Sequence, residues 1–456
     1  MMNKFYLAAA SVLLVANSYA VTLEEALVSS YNNNEELYIN RNNFLTEIEK
    51  FPRALAGFMP KISIQSQVTD LNTKRDSTVP IIVRDNITNK STRYNHVLVA
   101  EQPVFDGFSS MHDLRSAQAA FKAARSDFYS KEQEILLKNI EIYLDCVASE
   151  EKYKISQMSV KSNKVQFDAM QEKFKQGEAT ATDVASAKES YKSAEANMAT
   201  ALANRDFRYA TFKQVTNILP ENLKMPELPD GLVTNVDELF EIAGRTNLTI
   251  DGVRNKIVAA KADSAGAKGQ LLPKVSFKIQ TDKTKYNVQK NDNGNINSRG
   301  LTSTLSVNIP ILSRGGAEYS DIRKANHFYK RTMLALDSSL KQLKAECVSV
   351  LSNFESAKKR LDATKQAVKS SEIAYDGMVQ EEMLGSKTII DVSIAEDRLS
   401  RARERLVDTE KDLLFTAYRL KSLTGELTAK ALNLSVDYFE PEKEFKRVKF
   451  KIVGFK

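Results

Sequence analysis

Tryptophan is absent from the 456 residues, glycine and proline number only 16 and 10, and there are two cysteines and three histidines. So few breakers leave long stretches in which nothing stops a helix. The cysteines, Cys146 and Cys347, allow at most one disulfide, and nothing in their context supports it. Cys347 falls in the apolar series Leu336, Leu340, Leu343, Cys347, Val350, Phe354, Ala357, Leu361, where a small buried hydrophobe is expected. His96, His112 and His327 are far apart and no pair has metal-ligand spacing. No glycine-rich loop follows a strand. No catalytic residue, metal or cofactor is therefore expected. The formal charge of +7 is spread over both signs, which argues against a nucleic-acid surface.

Long apolar runs are also missing. Residues 1–20 have the order of a secretory signal: Lys4 as the positive region, an apolar run from Phe5 to Ala16, and Ser18-Tyr19-Ala20 as a small-x-small cleavage site. No cysteine follows it, so a lipoprotein-type anchor is not indicated. No other stretch is long and apolar enough for a transmembrane helix. The expectation is an exported chain without a helical span.

What is present is a duplication. Gly177-Glu178-Ala179-Thr180-Ala181-Thr182-Asp183-Val184 is echoed by Gly385-Ser386-Lys387-Thr388-Ile389-Ile390-Asp391-Val392, with Gly and Asp at the same separation. After each Asp a 3-then-4 spacing runs for several turns. In the first copy it selects Val184, Ala187, Tyr191, Ala194 and Met198 onward. In the second it selects Val392, Ala395, Leu399, Ala402 and Leu406 onward. That period predicts helices wound on neighbours as coiled coils. Gly177 and Gly385 are each read as the turn that reverses one long helix into another.

The expected segments are a signal peptide at 1–20, a first structural repeat at 21–218, a linker at 219–232, a second repeat at 233–427, and a basic tail at 428–456. Thr22 with Glu25 promises a capping box, and a second helix is expected from Glu35 to Leu55. At Lys61 the period changes to two: Ile62, Ile64 and Val68 oppose Ser63, Gln65 and Gln67. A loop from Asp70 to Arg93 and a strand from Tyr94 to Pro103 follow. A helix from about Phe108 to Gln176 contains neither Pro nor Gly. At 1.5 Å per residue it would be about 100 Å long, a rod rather than part of a globular core. The second half repeats the order: helix from Val236 to Ala267, Pro273-Lys274 in place of Pro60-Lys61, a strand from Val275, a loop from Thr281 to Gly300, and a strand from Leu301 to Ile309. Pro310 then stands where Pro103 stood, and a long helix runs from about Gly316 to Leu384. Val448 to Val453 reads as a basic strand, placed against a sheet edge or on an acidic surface.

Strands of about ten residues with one apolar face suit a membrane barrel better than a soluble core. Four cannot close a barrel, because their edges would stay unpaired in lipid. Closure requires several chains. The long helices carry apolar seams but broad polar faces, as a hollow helical cylinder would. A non-pore periplasmic coiled-coil protein or adhesin is the alternative, although a rod needs no strands. Asp183 and Asp391 also read as plain helix caps.

The duplicated order, the prolines bounding the strands and the two Gly-x5-Asp-Val turns resemble the TolC family of outer-membrane efflux channels over essentially the whole mature length. The resemblance implies a mainly α fold with a membrane β-barrel portion. Three chains would share one twelve-stranded barrel, four strands each, continued by a tunnel of twelve helices in the periplasm. It implies a homotrimer in outer-membrane lipid, with a periplasmic adaptor and an inner-membrane pump as partners. It carries gating roles onto the turns: Lys387 linked to Thr182 and Asp183 of a neighbouring chain, Asp391 as a carboxylate ring, and Ile394 as an apolar constriction where relatives often have a second acid. Lys is a point charge, so this latch would be looser than one made by Arg. The family's tyrosine three residues before the second Gly is here Glu382, which puts that link in doubt.

Overall fold

The computed structural model describes residues 21–75, 87–288, 296–451 and 454. The signal-like segment and the last residues of the expected basic strand lie outside them. Within the described residues the chain forms two compact units. One comprises the residues up to Arg41, Phe128–Leu248 and Leu340–Phe439; the other comprises Asn42–Asp127, Thr249–Ser339 and Glu440–Lys456. The element order is α1 (Leu23–Asn33), α2 (Glu35–Ile48), α3 (Lys50–Leu55), β1 (Lys61–Arg75), β2 (Ile87–Phe105), α4 (Ser109–Lys175) and α5 (Ala181–Thr216). It continues with α6 (Val236–Thr246), α7 (Leu248–Gly269), β3 (Lys274–Val288), β4 (Ile296–Asn308), α8 (Ala317–Met383), α9 (Ile389–Leu423) and α10 (Pro441–Val448).

The long helices are as expected. α4 and α8 each have 67 residues, and α5 and α9 have 36 and 35. The capping box of α1 is present, Thr22 accepting from the Glu25 N–H while Glu25 accepts from the Thr22 N–H. The helix expected over Glu35–Leu55 is broken at Glu49. Pro52 has no N–H for the Ile48 carbonyl, and its ring crowds that carbonyl. The helix expected over Val236–Ala267 is likewise broken, at Asn247, which is extended and whose side-chain amide donates to the Leu423 carbonyl at 3.1 Å.

The first unit has its core where α1, α4, α5 and the chain after α9 meet. Tyr31, Ile140, Tyr143, Leu144, Phe212 and Leu427 are almost wholly buried there. Burying such side chains contributes roughly 2 kcal/mol each before entropy is counted. The Tyr143 hydroxyl lies 2.9 Å from the Val21 carbonyl and 2.8 Å from that of Lys224, so the proline-rich segment is a packed strap rather than a loose linker. Across the rods, Asp145 of α4 pairs with Arg208 of α5 at 2.8 Å and with Lys411 of α9 at 3.1 Å. Cys146 and Cys347 are both free and buried. Burial pushes the Cys146 thiol up to about 12, which leaves it an inert hydrophobe.

The second unit holds a four-stranded antiparallel sheet in the order β1-β2-β3-β4. Lys61 pairs with Glu101, Ala100 with Ile279, and Lys274 with Asn308. The strands run further than expected. β1 continues to Arg75, β2 begins at Ile87, and Thr281–Val288 and Ile296–Gly300 are strand rather than loop. Polar residues on both faces there give no period-two signal, yet the hairpin ladder continues through them. One face carries Ile62, Ile64 and Val68 of β1, Leu98 of β2, Ile279 of β3, and Leu301 and Leu305 of β4. The outer strands are bare on both faces: Ser63 and Gln65 of β1 are exposed, as are Thr302 and Ser306 of β4.

The tail corrects another expectation. Of the strand expected over Val448 to Val453, Val448 instead closes a helix that spans residues 441–448, and residues 449–451 are not strand. Pro441 stands in the first turn, Glu442 and Glu444 follow it, Lys446 and Arg447 lie in the last turn, and this order suits the helix dipole. Phe445 stacks on Phe121 of α4 at 3.8 Å between ring centres and meets Phe51 of α3 edge-on at 5.1 Å.

Candidate functional site

The two Gly turns are the candidate site. Gly177 and Gly385 have φ of +79° and +75°, the left-handed conformation that ends a helix cheaply only at Gly. In the first turn the Glu178 N–H reaches back to the Lys173 carbonyl at 2.9 Å; in the second the Ser386 N–H reaches the Glu381 carbonyl at 2.9 Å. The chain then enters the next helix through a capping box. Thr180 caps α5 and Thr388 caps α9.

Asp183 and Asp391 are thus not the N-cap residues, as the simplest reading held, but sit three positions inside. The Asp183 Oδ2 accepts from the Thr180 N–H at 2.9 Å and from its hydroxyl at 2.7 Å. The Asp391 Oδ2 does the same with Thr388 at 3.0 and 2.8 Å. Hydrogen bonds from Thr180, side chain first, hold the Asp183 carboxyl below the usual range. Those from Thr388, backbone first, do so for Asp391, with Lys387 adding a smaller pull. All these bonds go to Oδ2, which leaves each Oδ1 for an outside partner. The capping threonines were missed, although Thr-x-x-Asp occurs in both turns and is a capping-box signature.

Thr182, Lys387 and Ile394 are exposed. Among the described residues neither Thr182 nor Lys387 makes a side-chain hydrogen bond or ion pair, to each other or to anything else. The two turns nevertheless lie together. Met170 of α4, Ala187 of α5, and Ile389 and Val392 of α9 form one buried cluster, flanked by Phe167, Tyr375 and Val379. Polar bonds tie the same region. The Tyr375 hydroxyl is 2.7 Å from that of Ser162, and Asn163 donates to buried Glu396 at 3.2 Å. Lys173 pairs with Glu382 at 2.7 Å, the latter at the position where the family tyrosine was missing. No local sequence signal marks these pairs, which join residues about two hundred apart.

Among the described residues no three His, Cys, Asp or Glu side chains come together as a metal-binding group, and no helix is long and apolar enough to cross a membrane. His96 lies on β2 with Nδ1 2.9 Å from the Ser66 hydroxyl, while His112 and His327 lie on α4 and α8.

Comparison with known proteins finds relatives over most of the chain. The model of a family described as "Outer membrane efflux protein" matches residues 53–217 and 245–426. The "Outer membrane efflux protein BepC" of Brucella suis is 26% identical over 435 residues, 95% of this chain and 92% of that one. The "Alkaline protease secretion protein AprF" of Pseudomonas aeruginosa is 22% identical over 350 residues, 75% of this chain and 71% of that one. Among solved structures, the CmeC outer membrane channel of Campylobacter jejuni superposes with a TM-score of 0.76 over 94% of this chain and 89% of its own, at 14% identity.

Proposed function

The chain belongs to the outer membrane efflux protein family, and from that premise we propose that three copies form one passive duct, gated at the paired Gly turns. The observation that carries the reading is the sheet. It has four strands and two open edges, and its outer strands are bare on both faces, with Ile64 of β1 76% and Leu305 of β4 67% exposed. Unpaired edges cannot stand in lipid, so sister copies must supply the missing pairs. Twelve strands from three chains close such a wall, with the long helices as a periplasmic tunnel.

The protein resides in the outer membrane and works in efflux. An inner-membrane pump, coupled through a periplasmic adaptor, delivers cargo to the turns. The cargo is small molecules such as drugs, or secreted polypeptides; the printed name of AprF makes the second worth testing here. Lys387 of one copy reaches the free Oδ1 of Asp183 and the Thr182 hydroxyl of its neighbour, holding the tunnel shut. Asp391 and Ile394 line the narrowest ring as a charged and an apolar constriction. A non-pore rod or adhesin would leave the exposed strands without a purpose.

The test is deletion of the gene, with drug susceptibility and exoprotein release measured together. A fall in drug tolerance alone assigns small molecules, and a fall in release alone assigns polypeptides. If neither changes while the purified protein conducts no ions across planar bilayers, the duct is refuted.

A further inference from the structure

The apolar face of the sheet ends, on the loop side, in a row of cations. Strand partners share a face, and so do residues two apart along a strand. On the apolar face the row Ile64, Leu98, Thr281 and Leu301 is followed by the row Ser66, His96, Lys283 and Arg299. Lys285 lies one step further out, opposite Tyr94. Lys283, Lys285 and Arg299 are exposed, and among the described residues none of them makes a side-chain hydrogen bond or ion pair. Among the described strand residues of that face the one carboxylate is Asp70 of β1, which is separated from β3 by β2. Lys283 and Arg299 are direct cross-strand partners, and like charges so placed weaken a strand pair. His96 flanks Lys283 on the other side, its Nδ1 2.9 Å from the Ser66 hydroxyl. An anion between the cations removes the repulsion and gains charge-assisted hydrogen bonds, with Arg299 offering a forked donor to phosphate.

The height of the row says where that anion comes from. Beyond Arg299 the exposed apolar series of β4 runs Leu301, Leu305, Val307 and, just past the strand, Ile309. At about 3.3 Å per residue and a strand tilt of about 40°, Arg299 stands roughly 25 Å above Ile309, the full height of the apolar band of a membrane barrel. Cations on a lipid-facing side are tolerated at that boundary and not at the middle of the band. The helices continue from the opposite ends of the strands, β2 leading into α4 and α7 into β3. The row then lies at the boundary away from the periplasmic helices, level with the headgroups of the outer leaflet. Tyr94, opposite Lys285, stands at the level of an interfacial aromatic.

We propose that Lys283, Lys285 and Arg299, with His96 beside them, hold the phosphates of a phosphorylated glycolipid of the outer leaflet. This rests on the reading of the sheet as a membrane wall and adds a ligand at its outward rim. A lipid fits better than a free anion because two adjoining surfaces match two parts of one molecule. Acyl chains lie along Leu301 and Leu305, and the headgroup reaches the cations next to them. A headgroup with more than one phosphate fits better than a single phosphodiester, because three unpaired cations stand within about 7 Å of one another's strand positions.

The test titrates the assembled protein in mild detergent with bisphosphoryl lipid A and counts bound lipid by native mass spectrometry. The double variant Lys283→Gln/Arg299→Gln should lower the apparent affinity about tenfold or more. The exchange Lys283→Arg/Arg299→Lys keeps the charge, and Lys278→Gln changes a residue of the opposite face; both should bind as the wild type does. Equal uptake by the wild type and the double Gln variant overturns the site. Equal uptake of phosphatidylglycerol overturns the choice of glycolipid. Displacement by millimolar inorganic phosphate, beyond that by chloride of equal ionic strength, makes a free anion the ligand and overturns the choice of a lipid. Conductance in planar bilayers reads the wall separately. Conducting variants that bind lipid A as the wild type does sink the site alone, whereas a wild type that never conducts takes the wall and the site together.

Discussion

Lys173, in the last turns of α4, donates to Glu382, in the last turn of α8, at 2.7 Å. The pair is half-buried beside the cluster of Met170, Ile389 and Val392, so the two Gly turns are tied to each other within one chain. Relatives are implied to use a tyrosine at the Glu382 position. Here an ion pair takes that place.

This tie predicts an effect on the closed state. Glu382→Gln should raise single-channel conductance in planar bilayers, and the charge-swapped double variant Lys173→Glu/Glu382→Lys should restore it. The coupling energy of the pair should be about 1 kcal/mol, since both groups keep some water. A swap that stays as open as the single variant would show that the pair is not the tie.

Lys387 is the proposed link between copies. Lys387→Ala should also raise conductance, and its effect should add to that of Glu382→Gln if the two links are separate. Unchanged conductance in a fully assembled oligomer would remove Lys387 from the gate.

The capping boxes give a pH dependence of definite sign. The Asp183 and Asp391 carboxyls are held below their unfolded value of about 3.9. Their contribution is therefore present above about pH 4 and is lost as pH falls through the lower, folded pKa values. Hydrogen exchange at residues 181–184 and 389–392 should speed up, beyond the intrinsic rate, only in that acidic window. Thr388→Ala should cost the turn about 1 kcal/mol, and Thr388→Ser much less.

Glu132 has the opposite sign. It is buried and accepts from the Ala429 N–H at 2.8 Å, and burial pushes its carboxyl up to about 7. The folded protein then holds a proton that the unfolded chain releases near pH 4. Stability from this group is full below about pH 4 and declines as pH rises through about 7, by up to about 3 kcal/mol. Glu132→Gln should remove that dependence, which denaturant melts at about pH 5 and pH 8 would detect as a stabilisation at the higher pH alone.

Phe445 is the main apolar anchor of the tail helix, beside the Arg125–Glu442 ion pair. Phe445→Ala removes the stack on Phe121 and the edge contact with Phe51, at a cost of about 3 kcal/mol. Limited proteolysis should then cut after Lys446 or Arg447 in the assembled protein, while the wild type resists. Equal resistance would mean that the tail is held by other contacts.

Much of the fold was legible because its signals are periodic. Seams repeating every 3.5 residues, freedom from Gly and Pro between Ser109 and Lys175, and alternation around Ile62 and Leu305 each needed only local sequence. What failed was also local. Pro52 breaks its helix upstream of itself, at Glu49. The polar ends of the strands lack alternation because neither face there has to be apolar. Alternation from Val448 onward suggested a strand, but Pro441 and the order of charges after it set a helix that runs through Val448, and residues 449–451 after it are not strand. At the site, Gly177, Gly385 and the two Asp positions were visible as repeats. Lys173 with Glu382, and Ser162 with Tyr375, were not, because only the packing of distant helices brings them together.

The most direct test is the native mass of the protein extracted from outer membranes in mild detergent, taken by light scattering with the detergent contribution subtracted. The proposed duct of three copies predicts a single species of three chains that falls apart only on heating. A water-soluble single chain, absent from the outer-membrane fraction, would contradict the account.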